Sequence, residues 1–158
     1  MNKGILSTDL IWKAANFTFP AIKMTMESGV TKRSDLAVVV TATEVIKPCN
    51  PNKSFKENCY LIFNFGEKTE WDHDYESIAL SKAKISVRTR KATAVLEPHY
   101  LLRDDTVYGG SVVLDDIVVA CSGVEPYYDE MFSMWIASAI KAEAKKIFND
   151  SYSNQDFV

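Results

Sequence analysis

The stretch Tyr108–Glu130, YGGSVVLDDIVVACSGVEPYYDE, decides how the rest of the chain is read. Gly109 and Gly110 open a short apolar run, Ser111–Leu114. Asp115-Asp116 interrupts it and Ile117–Cys121 resumes it, the pattern of a β-hairpin. Ser122-Gly123 ends the second strand. Pro126 then stands where the first turn of a helix tolerates a residue without an N–H. Asp129 and Glu130 follow, where carboxylates favour the positive end of the helix dipole. The fragment reads strand, turn, strand, small-residue corner, helix. It specifies a piece of fold and carries no reaction by itself.

Downstream, the helix is expected from Pro126 to about Phe148. Phe132, Ile136, Ala139, Ile140 and Ile147 form an inward stripe, and Lys141, Lys145 and Lys146 match the negative pole of the dipole. Met131, Met134 and Trp135 extend the apolar surface beyond that stripe, which predicts deep burial or contact with another subunit. Asn149–Val158 is expected to be a polar tail that frays.

Upstream, Thr93–Tyr108 is mixed, broken at Glu97-Pro98, with a short helix expected near Leu101-Leu102. From Tyr75 the spacing turns helical, with Tyr75, Ile78, Ala79, Ala83 and Val87 on one face. Lys82, Lys84, Arg88, Arg90 and Lys91 are assigned to the opposite side, either as a solvated face or as a cradle for carboxylates or phosphates. Cys59–Phe65 reads as a strand closed by Gly66. Lys47–Asn58, with two prolines, reads as a loop, either functional or a tolerated surface insertion. Leu36–Ala42 is continuous and β-branched, the sign of a strand covered on both faces. Ser7 or Thr8 caps a first helix that Pro20 either kinks or divides, and Gly29 stops it.

The totals set bounds. A chain of 158 residues suits one domain, taken as residues 1–148 with the tail 149–158, and can bury a core. A net charge of −3 argues against broad binding to nucleic acid or to an acidic membrane. Three cysteines without a CxxC pair argue against a disulfide scaffold or structural zinc and for a reducing compartment, hence the cytoplasm. Met1–Trp12 lacks the apolar core of a signal peptide, and Leu36–Val40 is far too short to span a bilayer. The element order predicts an α/β (α+β) protein with a mostly antiparallel sheet of at least four strands and helices on both faces.

This succession resembles the haem-binding and haem-degrading family that includes GlcG, HbpS and the C-terminal domain of PduO. The likeness rests on three pieces. Ser28-Gly29-Val30 leads from a helix end into Leu36–Val40. Ser77, Ala79, Lys82 and Ala83 loosely match a Ser-x-x-x-Ala-x-x-Lys-Ala helix. Gly109-Gly110 followed by Ser122-Gly123-x-x-Pro126-x-x-Asp129-Glu130 looks like the family's GG…SGxxPxxDE signature. The resemblance implies an α-β-α sandwich of about five antiparallel strands, a homo-oligomer, and haem or a corrinoid as ligand. The chain departs from the family at Thr41-Ala42-Thr43, where an aspartate and glycine are usual. It departs again at Ser111-Val112, where a proline is usual, and at Pro20.

Haem requires an axial donor, most often histidine, in an apolar slot. His99, beside Leu101 and Leu102, is the candidate donor, against a hydrogen-bonded structural role; His73, between two aspartates, reads as a surface residue. Ser122 lacks the G-x-S-x-G elbow of a nucleophile. The free N–H groups at the Ser122–Asp129 corner suggest an anion site at a helix start, with Lys82 adding positive charge; the plainer reading is a tight strand-to-helix turn. Tyr127 and Tyr128 are placed at its mouth. The expected ligand-binding residues are therefore Lys82, Gly109, Gly110, Ser122, Gly123, Tyr127 and Asp129, with no metal motif. The expected role is a small-molecule-binding homo-oligomer, non-catalytic or weakly catalytic, and the alternative is an assembly module that has no ligand.

Overall fold

The computed structural model describes residues 4–158; residues 1–3, which the sequence reading included in the domain, lie outside that range. Helix α1 spans Thr8–Glu27, and its N-cap Ser7 accepts a hydrogen bond from the Leu10 N–H at 3.2 Å. It runs through Pro20 as one helix, because a stripe of Leu10, Ile11, Ala14, Ile22 and Met26 is buried along its length. Strand β1 (Leu36–Ala42) follows, all seven residues buried. A one-turn helix α2 (Phe55–Asn58) and strand β2 (Leu61–Phe65) come next, then α3 (Tyr75–Thr89). The hairpin β3 (Ser111–Leu114) and β4 (Ile117–Ser122) leads into α4 (Pro126–Tyr152).

The four strands form one antiparallel sheet in the order β2-β1-β4-β3. Central β1 pairs with β4 from Ala37↔Ser122 to Ala42↔Ile117. Because side chains alternate across the pleat, Leu36, Val38, Val40, Val119 and Cys121 join α1 and α4 in the larger core. Ala37, Val39, Val118 and Ala120 face α3 through Ala79 and Ala83. The structure is thus an α-β-α sandwich. Two-sided coverage explains the unbroken apolar run of β1, and the alanine-on-alanine contact lets α3 sit close to the sheet.

Asp115 and Asp116 both adopt positive φ, 47° and 67°, as a two-residue hairpin turn of primed type demands. The turn is tied to the end of β1: the Thr43 N–H donates to the Asp116 carbonyl at 2.9 Å, and the Thr43 hydroxyl bonds the Asp116 carboxylate.

The structure corrects several boundaries. Among the described residues the sheet has four strands rather than about five. The segment 47–58 closes with a helical turn, because Ser54 and Glu57 form a capping box. Thr93–Tyr108 contains two single 3₁₀ turns, at Thr93–Val95 and Pro98–Tyr100, and Leu101-Leu102 is not helical. Helix α4 runs past Phe148 to Tyr152, so part of the expected polar tail is helical.

Candidate functional site

The corner between β4 and α4 sits against the start of β1. Gly123 has φ 149°, and a Cβ on it would fall 2.1 Å from the Asp35 carbonyl oxygen, so the corner accepts only glycine. From this corner Asp129, in the first turn of α4, points back under the loop. Its Oδ1 accepts from the Val124 N–H at 3.2 Å, and its Oδ2 lies 3.2 Å from Lys82 Nζ. Lys82 comes from α3, across the sheet end, and also donates to the Cys121 carbonyl at 2.8 Å.

Both charges are buried, with side-chain exposures of 1% for Lys82 and 2% for Asp129. The assignment of Lys82 to a solvated face is therefore corrected: its stem runs inward on the stripe with Ala79, Ala83 and Ser86. Burial pushes the Asp129 carboxyl up to about 6 against the pull of Lys82. Burial likewise lowers the Lys82 ammonium, against the pull of Asp129. Each group is held closer to its neutral form than it would be in water, and their mutual attraction opposes that shift.

The expected anion hole thus takes a different form. The carboxylate that occupies the N–H groups of the corner and neutralises Lys82 is the chain's own Asp129. Gly110 completes the enclosure. Its φ is 138°, and a Cβ there would stand 2.8 Å from both Lys82 Nζ and Asp129 Cβ. Gly110 is pinned through its carbonyl, which accepts from Ser133 Oγ at 2.7 Å, and its N–H, which donates to Thr93 Oγ1 at 3.0 Å. A buried hydroxyl contact, Ser86 Oγ to Ser111 Oγ at 2.7 Å, links α3 to β3 beside it.

Over this pair opens a cleft of about 330 Å³. Lys82 and Asp129 line it, together with Ser122 and Gly123. Sequence reasoning did not single out several other residues of the cleft: Lys32 and Arg33 before β1, Tyr108 before the double glycine, and Glu125 at the corner; His73 before α3, read as a surface residue, is exposed and also lines it. The position of Tyr108 directly before Gly109-Gly110 was the one visible signal; the others arrive from loops that only the fold brings together. Arg33 Nε lies 3.7 Å from Asp72 Oδ2. Glu125 Oε1 accepts from the Lys32 N–H at 3.2 Å, while its Oε2 is buried with no hydrogen-bond partner among the described residues.

Other expected site residues fall elsewhere. Gly109 packs on Ala94 outside the cleft, and Tyr127 is 66% exposed, edge-on to Tyr128. His99 is exposed, stacked on Tyr100, and does not line the cleft. Cys121 lies beneath the site with its thiol pushed up to about 12 by burial, so it offers no thiolate. No cluster of metal-ligating side chains occurs among the described residues, and no helix there is long and apolar enough to cross a membrane.

No family model matches the chain, and no curated protein matches it. Among solved structures it is similar to the crystal structure of Klebsiella pneumoniae protein ORFY, of the family DUF336. The TM-score is 0.53 and the identity 15%, over 90% of this chain and 97% of that one. DUF336 is the GlcG-like family, and the likeness is one of fold: an α-β-α sandwich of the GlcG-like type.

Proposed function

We propose that this chain is a small-molecule-binding domain that acts as a homo-oligomer, and that its ligand is a small organic anion held in the cleft above Lys82 and Asp129. The observation that carries this reading is the buried charge pair at the cleft floor. A buried ion pair stabilises a fold little better than apolar residues of the same volume. Charges with shifted proton affinities in a cleft are more often kept for binding or chemistry. Lys32 and Arg33 at the rim suit a carboxylate or phosphate, Tyr75, Ile78 and Tyr108 suit a short apolar body, and the unpartnered Glu125 Oε2 suits a hydroxyl or amine donor on the same ligand.

A tetrapyrrole, the ligand that the family resemblance implies, fits these residues poorly. Its macrocycle needs an apolar slot and an axial donor. The cleft is lined by five Lys, Arg, Asp or Glu side chains besides His73, and His73 is exposed at its rim rather than aimed from its floor. A second reading, an assembly module without a ligand, is favoured by exposed apolar side chains on the two outer helices: Phe17 and Met24 on α1, Met134 on α4.

Thermal-shift screening with hydroxy acids, amino acids and haemin separates these readings. Saturable stabilisation by a carboxylate bearing a donor group, lost in Arg33→Ala, is the expected result. A saturable Soret change lost in His73→Ala would replace the small anion with a tetrapyrrole. Absence of any ligand together with a stable oligomer in light scattering would leave the assembly module.

A further inference from the structure

The basic run of α3 is only partly spent within the fold. Arg88 meets Asp105 at 2.7 Å, Arg90 lies 3.6 Å from Asp116, and Lys91 sits over the Tyr100 ring, 5.0 Å from its centroid. Lys84 is exposed and has no ion-pair partner among the described residues, and neither has Lys47. Lys47, Lys84 and Arg88 line a second pocket of about 160 Å³, between the 47–58 segment and α3. It adjoins Thr41 and Ala42 at the end of β1, whereas the Lys82–Asp129 cleft adjoins the residues before β1's start.

The pocket is built rather than incidental. Asn58, at its wall, has its Nδ2 within hydrogen-bond distance of the carbonyls of Asn50, Lys53 and Ser54, at 3.1, 3.2 and 2.9 Å. Its Oδ1 accepts from the Asn50 N–H at 2.9 Å. These bonds fix the 47–58 segment before any ligand arrives, which lowers the ordering cost of binding. Lys84 and Arg88 stand one turn apart on the same helix; Asp105 already meets Arg88 at 2.7 Å, which leaves Lys84 as the cation of the pair without a direct counter-charge. Glu44 is the one carboxylate in the lining, and Phe55 and Val87 give apolar walls.

We propose that this pocket binds the phosphate of a small phosphomonoester, with Lys84 and Arg88 on the oxyanion and the organic part against Phe55 and Val87. A phosphomonoester carries close to two negative charges at neutral pH. Asp105 already offsets Arg88, so the cations without an ion-pair partner are Lys47 and Lys84, facing Glu44; the phosphate's three oxygens can take the Lys84 ammonium and the guanidinium N–H groups that Arg88 does not spend on Asp105 and Tyr100.

Cys49 provides the reporter, because it is exposed and lines the pocket. Burial holds the Cys59 and Cys121 thiols up, at about 11 and about 12, so they react far more slowly. Phenyl phosphate, added to the full chain at fixed ionic strength, is expected to slow disulfide-exchange labelling of Cys49 saturably, whereas phenol is not. Lys84→Gln, a change at an exposed position, is expected to raise the half-protecting concentration about tenfold or more, the loss of one charge-assisted contact. Arg33→Ala, at the other cleft, is expected to leave it unchanged. Absence of protection, equal protection by phenol, or protection unaltered in Lys84→Gln would overturn the proposal.

Discussion

Gly110 and Lys82 are fitted to one another so closely that a methyl group on the glycine would stand 2.8 Å from the lysine ammonium. The neighbouring Gly109 meets nothing nearer than 3.5 Å and has no left-handed backbone. Gly110→Ala is therefore expected to destabilise the chain by about 2–4 kcal/mol, through steric crowding and strain together, and Gly109→Ala by less than about 1 kcal/mol. Urea denaturation of the two variants checks the contrast; equal losses would show that the Lys82 enclosure does not constrain the double glycine.

Removal of one member of the buried pair leaves the other without its counter-charge. Lys82→Met alone is expected to destabilise by about 3–5 kcal/mol, and the double variant Lys82→Met with Asp129→Leu is expected to recover at least half of that loss. The coupling is read from a double-mutant cycle of denaturation midpoints. Additive losses would mean that the two groups do not interact.

Glu76, in the first turn of α3, bonds Lys56, Lys68 and Asn64 and so joins α2, β2 and the turn before α3. The Lys56 hydrogen bond leads in lowering its carboxyl to about 2, and burial opposes it. Because the folded value lies below the unfolded one, this stabilisation is present above about pH 4.5 and is lost as pH falls towards 2. Its partners are half-exposed, so a contribution of about 1–2 kcal/mol is expected after screening. Glu76→Gln should flatten stability against pH in that window and change little in its slope above pH 5.

Thiol reactivity should divide one to two. In the native chain Cys49, which is exposed, is expected to react fast with an aromatic disulfide reagent at pH 8. Half-buried Cys59 is expected to react far more slowly and buried Cys121 only on unfolding, since burial raises both thiols. Two fast thiols in a quantified native sample would contradict the shielding of Cys59.

Pro20 lies on the exposed side of α1, where it removes one backbone hydrogen bond from a helix otherwise anchored by its apolar stripe. Pro20→Ala is expected to stabilise by about 1–3 kcal/mol and to raise the melting temperature by several degrees. A fall would show that the interruption is needed for the packing of α1 on α4.

Much of this architecture was legible in the chain itself. Leu36–Ala42 announced a two-sided strand because Leu36–Val40 is an uninterrupted apolar run, and Asp115-Asp116 marked the hairpin that the left-handed φ values require. Pro126 marked the helix start for the same local reason. Lys82 was misassigned although its position was visible: counted from Tyr75, it falls on the same helical stripe as Ala79 and Ser86, but its charge spoke for solvent. What redeems the charge is Asp129, 47 residues away, which no local pattern can supply. The cleft was illegible for a related reason, since Arg33, His73 and Glu125 come from three separate loops, before β1, before α3 and after β4, that share a cleft only in the fold. Among the described residues the sheet has four strands, and Thr93–Tyr108 holds two 3₁₀ turns rather than a strand.

Asp129 is tethered to the very corner where a visiting oxyanion would dock, and a tethered group competes as if at very high concentration. On the proposed reading, a free carboxylate or phosphate would be turned away from the floor and left to the looser cations above it, Lys32 and Arg33. Selectivity at that floor would then fall to uncharged groups that can slip beside the resident salt link, so that visitors would be sorted by their neutral ends and tethered by their charged ones.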